Sequence, residues 1–234
     1  MSRTIALGAA LLACAIAAPA AAQSASENDR DDIPARNDSS MEKTLERAER
    51  DRMDARADQR LSRPALENWA GCLAQRNPGE ATRLLTMDFT SKAYQNGMRM
   101  LSMEDRDCVQ FRGTLRSSGL LFAGELAEGL LERDSAALPG ALARAASAPA
   151  THSFSFTDRI AICTVRSAPS DVAALFATAR DSAQETAALN GLSVAMGLCA
   201  KAADAKKPLS INPAGLRAML ATAAFRSVES SKAS

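Results

Sequence analysis

Cys72-Leu73-Ala74-Gln75-Arg76-Asn77-Pro78-Gly79-Glu80-Ala81-Thr82-Arg83-Leu84-Leu85 is answered, 91 residues on, by Cys163-Thr164-Val165-Arg166-Ser167-Ala168-Pro169-Ser170-Asp171-Val172-Ala173-Ala174-Leu175-Phe176. The shared pattern is C-x5-P-x-[DE]-x3-L-[LF]. A second cysteine follows each first one after 36 residues, at Cys108 and Cys199. Further on, Ala123-Gly124 falls on Ala214-Gly215, and one residue of slip brings Leu126 onto Leu216 and Leu130 onto Leu220. Matching cysteine, proline, acidic and apolar positions in one register read as an internal duplication.

The anchor residues make sense as helix punctuation. Leu66, Trp69, Ala70 and Leu73 follow the i, i+3, i+4, i+7 stripe of an amphipathic helix, with Pro64 placed in its first turn. Asn77-Pro78-Gly79-Glu80 reads as a second helix start, with Asn as cap, Pro at the first position and an acid facing the positive end of the dipole. Ala168-Pro169-Ser170-Asp171 repeats it, with Ser170 as an alternative cap. A third helical stretch is predicted over 92–109 and 183–202, interrupted near Gly97 and Gly191, the latter stretch opened by a Ser182/Glu185 capping box. A fourth is predicted over 120–132 and 213–227. No segment sustains strand alternation; His152-Ser153-Phe154-Ser155-Phe156 alternates briefly. The expected fold is therefore all-α, two tandem modules of about four short helices, each with a disulfide. The predicted divisions are 1–22 signal peptide, 23–62 charged tether, 63–133 first repeat, 134–156 linker with a helix at 141–148, 157–228 second repeat and 229–234 tail.

Residues 1–22 have the layout of an export signal. Arg3 is the basic start, Ile5 to Ala18 the apolar stretch, and Ala20-Ala21-Ala22 the small residues before a cut that leaves Gln23 first. Leu11-Leu12-Ala13-Cys14 approximates a lipobox, so anchoring through Cys14 is the rival reading. Either way, the expected location is the periplasm or outside the cell, with no membrane span after cleavage. Between Glu27 and Arg63, 20 of 37 residues are charged, too many to offset the entropy of ordering the segment. A helix over Met41–Leu61 is expected to be exposed, held by pairs such as Glu46–Arg50 and Glu49–Arg52.

With Cys14 in the signal, Cys72, Cys108, Cys163 and Cys199 remain, an even set that suits two disulfides in an oxidising compartment. Equal spacing favours Cys72–Cys108 with Cys163–Cys199. The symmetric alternative is Cys72–Cys163 with Cys108–Cys199. A four-cysteine metal site lacks the close ligand spacing of zinc modules. The crosslinks matter because the chain holds 50 alanines in 234 residues and only 4% aromatics, a thin supply of large core side chains. Closing about 36 residues removes roughly 3–4 kcal/mol of unfolded-state freedom.

Composition excludes several classes. The formal net charge of +1 argues against nucleic-acid binding, and a single histidine removes most histidine chemistry. His152 has no partner in a recognisable motif, and there is no P-loop, dinucleotide fingerprint or nucleophile elbow. Met98, Met100 and Met103 could bind copper(I) as clustered thioethers. Leu189 and Val194 occupy the positions of Met98 and Met103 in the second copy, which favours packing. Glu125 and Glu128 lie one turn apart and are read as a solvated helix face, as are Glu104, Asp105 and Asp107. Arg112, Arg116, Lys201, Lys206 and Lys207 follow each second cysteine and are read as solvated loop. No cofactor, metal site or catalytic residue is assigned.

These motifs, behind an alanine-rich signal, resemble exported alanine-rich proteins of Gram-negative bacteria. The resemblance covers about 66–227 and implies a helical exported protein; it carries no activity. The functional expectation is a non-enzymatic module that binds an envelope protein partner, in an oligomeric state left open. The alternatives are a carboxylate-dependent periplasmic hydrolase and a methionine-based copper binder.

Overall fold

The computed structural model describes residues 38–109, 115, 117–206 and 209–232, with side chains of the first helix at 44, 46–50 and from 62 onward. The expected signal, Cys14, Arg112, Arg116 and Lys207 lie outside the described residues. The chain divides into two units, 1–47 and 48–234. The described part of the first is 38–47, the opening of helix α1.

Every regular element among the described residues is helical. Helix α1 is Asp38–Arg76, α2 Pro78–Leu85, α3 Lys92–Glu104, α4 Gly119–Leu131, α5 Leu138–Ser147, α6 Phe156–Ser167, α7 Pro169–Phe176, α8 Ala183–Gly191, α9 Ser193–Ala202 and α10 Pro213–Lys232. None is long and apolar enough to cross a membrane.

Local signals explain most boundaries. Helices α2 and α7 begin on their prolines and have the same length, 91 residues apart. Ser91 caps α3 and Ser182 caps α8, each accepting from the backbone N–H three residues on. Asn77 and Ala168 hold the cap positions before the prolines, which places Ser170 inside α7 rather than at its cap, and neither cap side chain makes a cap bond. Helix α3 runs unbroken through Gly97, against the expected interruption there, whereas 183–202 splits into α8 and α9 just after Gly191. Glu46 to Arg50 are exposed.

Pro64 does not start a helix. It lies inside α1, which runs on from the charged segment. A proline there removes one ladder hydrogen bond, and the burial of Leu66, Ala70 and Leu73 just beyond it offsets the loss. Residues 134–156, expected as a linker, hold α5, which buries Leu138, Leu142 and Ala145.

Both disulfides close the 36-residue spacing that the sequence favoured. Cys72 on α1 joins Cys108, and Cys163 on α6 joins Cys199 on α9, with Cα separations of 5.6 and 5.7 Å. The cross-paired alternative is thereby set aside, and two disulfides fit an oxidising environment.

Leu66, Leu73, Leu84, Leu126, Leu175 and Leu220 belong to one continuous core drawn from both halves. Helices α4 and α10 meet at its centre. A Cβ on Gly124 would collide with the backbone of Ala218, and one on Gly129 would press on Gly71 and Ala74 of α1. Alanine therefore works here by its smallness. Ala70, Ala74, Ala81, Ala127, Ala161, Ala221, Ala223 and Ala224 are fully buried and let helix axes approach, in place of large side chains that would fill a wider gap.

Candidate functional site

The closest gathering of chemistry-bearing groups is a buried arginine–carboxylate cluster on the α4 face. Helix α4 is apolar nearly all round, so the acids it carries are carried into the core. Glu125 and Glu128 are buried, which corrects the expectation of a solvated helix face. Glu132 follows one turn later, half exposed.

Two arginines from distant segments, Arg217 and Arg180, meet these acids, and a third, Arg63, joins the cluster through Glu185. Arg217 on α10, 1% exposed, donates from Nε to both oxygens of Glu128 at 2.9 and 3.0 Å and from Nη2 at 2.8 Å. Its Nη1 reaches Glu185 and the Thr178 carbonyl, both at 3.1 Å. Arg180, in the turn after α7, donates from Nε to Glu125 at 2.7 Å and from Nη2 to Glu128 at 3.2 Å, and also binds Glu67. Arg63 pairs with Glu185 at 2.9 and 3.1 Å and with Asp181. The Ser182/Glu185 box is thus modified. Ser182 caps as expected, but Glu185 turns to the Asp181 N–H, at 2.7 Å, and to the two arginines. Asp181 adopts a left-handed φ of 58° to present that N–H, a conformation aspartate tolerates better than most side chains.

Against these three cations stand six carboxylates, Glu67, Glu125, Glu128, Glu132, Asp181 and Glu185. Burial is the main force pushing the Glu125 carboxyl up to about 7; Arg180 pulls the other way, and Glu128 and Glu67 add repulsion. Burial also raises Glu132. Burial acts upward on Glu185 too, but its hydrogen bonds from Arg63, Asp181 and Arg217 outweigh it and hold it low.

A general base needs a carboxylate lone pair directed at substrate. Glu128 and Glu132 border a cleft of about 350 Å³ with Ser135, Pro139 and Phe176. Both Glu128 oxygens, however, already accept from Arg217, and one also accepts from Arg180. The cluster locks α1, α4, α10 and the α7–α8 turn together.

The other sequence candidates lie apart from it. Met98 and Leu189 are buried as expected. Met103 and Val194, expected to pack, are instead 57% and 72% exposed, and Met100 and Leu198 are exposed as well. His152 is exposed and its ring stands 5.0 Å from that of Phe154. Asp105 and Asp107 hold Arg76 at the surface. Lys201 and Lys206 line an open groove of about 810 Å³, with Lys206 tied to Asp204 at 2.7 Å.

Residue-by-residue reading of the chain passes over Arg63, Arg180, Arg217, Asp158 and Arg226. The available signal is charge inside an otherwise apolar helix: Glu125 and Glu128 in α4, Arg217 and Arg226 in α10. Such residues are buried with partners or not buried at all. No family model, curated protein or solved structure matches this chain.

Proposed function

We propose that this is an exported, disulfide-stapled protein built from a duplicated helical unit, which acts without catalysis by binding an envelope protein partner. One observation carries the reading. Helix α3 and its counterpart α9 both leave apolar side chains in water, and Met103 and Val194 do so at the same register position of the two copies. Repeated helical units commonly present extended binding surfaces, and these matching exposed positions are where such a surface would lie. The coinciding bounds of α2 and α7, the paired serine caps and the equal disulfide spacings support the duplication. Two disulfides, with the leader-like residues 1–22, support export. The hydrolase alternative draws on Glu132 beside the 350 Å³ cleft, but its would-be partner Glu128 is held by two arginines.

The test is affinity capture from envelope extracts, comparing wild type with Met103→Lys/Val194→Lys. Both sites are solvent-facing, so the double variant keeps its stability to within about 0.5 kcal/mol per site. A partner retained by wild type and lost by the variant is the expected result. An identical captured set, or substrate turnover abolished by Glu132→Gln, would overturn the reading.

A further inference from the structure

A second feature lies away from both the cluster and the exposed methionine face. Between α4, α10 and the α6 start is a cavity of about 340 Å³. Leu85, Phe89, Tyr94, Leu120 and Met219 make its apolar walls, and Gln95, Ser155, Thr157, Thr222 and the Asp158–Arg226 pair its polar side. Its size falls at the lower end of small-molecule sites, which are typically roughly 300–1,000 Å³, mostly apolar, with a few placed polar groups.

Arg226 is the informative residue. It is buried, and its guanidinium lies 5.0 Å from the Phe154 ring centroid and 5.9 Å from that of Phe89. Among the described residues all its hydrogen bonds run from Nη2, to both Asp158 oxygens at 2.8 and 2.9 Å and to the His152 carbonyl at 3.4 Å. Its Nε–H is buried and has no hydrogen-bond partner. An unmade bond to a buried charged donor carries the full desolvation cost of that donor. Asp158 is satisfied by comparison, since one oxygen also accepts from the Phe154 N–H at 2.8 Å.

We propose that this cavity binds a small, uncharged, apolar molecule carrying a carbonyl-type acceptor, and that the Arg226 Nε–H donates to that acceptor. Charge decides against an anion. Asp158 already neutralises Arg226, and a second carboxylate in the same apolar surroundings would leave an uncompensated negative charge. Phe89, Tyr94 and Met219 enclose the apolar body, while Leu120, about two-fifths exposed, stands at the mouth.

The probe is prodan, a neutral naphthyl ketone with environment-sensitive emission, titrated into the oxidised protein. Saturable one-to-one binding with blue-shifted emission is expected. Thr222→Phe fills the cavity and Leu120→Arg puts a charge at its mouth; each should weaken binding about tenfold or more, and the solvent-facing Leu120 site leaves folding intact. Arg226→Lys keeps a cation for Asp158 but lacks the Nε–H. It should weaken prodan about tenfold while an alkylnaphthalene without the ketone binds within about twofold of wild type. Absence of saturable binding to the folded protein, or binding unchanged in both cavity variants, overturns the site. Equal loss of ketone and hydrocarbon in Arg226→Lys overturns the donor assignment. Tighter binding of the anionic anilinonaphthalene sulfonate than of prodan overturns the uncharged class.

Discussion

Replacing Arg217 with methionine tests whether the buried cluster holds the fold together. The side chain is 1% exposed and serves two acids on two different elements, Glu128 on α4 and Glu185 on α8. Methionine fills much of the same volume, so the change removes charge and hydrogen bonds more than packing. Two arginines would then face six carboxylates. Glu128 would keep one contact, to Arg180 at 3.2 Å, and Glu185 would depend on Arg63. Removing one partner of a buried pair costs about 3–5 kcal/mol, because the other charge stays behind. For a chain of this size that lowers Tm by roughly 6–20 °C. The assay is urea and thermal unfolding of the oxidised protein, followed by circular dichroism, for wild type, Arg217→Met, Glu128→Leu and the double variant. The double variant removes one positive and one negative charge, leaving Arg180 with Glu67 and Glu125, and Arg63 with Asp181 and Glu185. It should therefore recover much of the single-variant loss, with a coupling of about 2–3 kcal/mol. A loss below about 1 kcal/mol for Arg217→Met, or strict additivity in the double variant, would refute the claim that these groups act as one unit.

Two further outcomes follow from the same packing. The folded Glu125 carboxyl titrates near 7 against an ordinary 4.5. The folded state therefore holds a proton that the unfolded chain has released between those values. Its contribution is full below about 4.5 and is lost as pH rises through about 7, a difference of order 1–3 kcal/mol. Glu125→Gln cannot ionise, so its Tm should fall less than that of wild type between pH 5 and pH 8 (roughly the span of the shift); parallel Tm–pH curves would contradict the burial argument. Gly124→Ala should destabilise by about 1–3 kcal/mol, since the added methyl meets the Ala218 backbone of α10. Denaturant unfolding measures this, and a neutral or stabilising effect would mean that α4 and α10 can separate freely.

Much of the fold was legible because its signals are local or periodic. Pro78 and Pro169 each start a helix, since the missing N–H costs nothing in a first turn. Ser182 caps the helix that follows it, as the Ser182/Glu185 pair suggested, and equal cysteine spacing pointed to the two observed bridges. The same local reasoning misplaced Pro64, because the buried stripe beyond it holds α1 continuous through the proline. It also packed Met103 and Val194, because matching apolar positions reveal register and not which neighbour covers them.

What the sequence by itself determined was the helical class, the proline starts of α2 and α7, and a cysteine spacing that favoured the bridges observed. The tertiary structure alone decided the fate of the charges in the apolar helices. Glu128 finds Arg217 across 89 positions, Glu125 finds Arg180 across 55, and Arg63 finds Glu185 across 122. On an isolated α4 the two glutamates would sit in water as a solvated face. Once α10 closes on Gly124 they lose that water, and only partners delivered from elsewhere in the fold can compensate a buried charge.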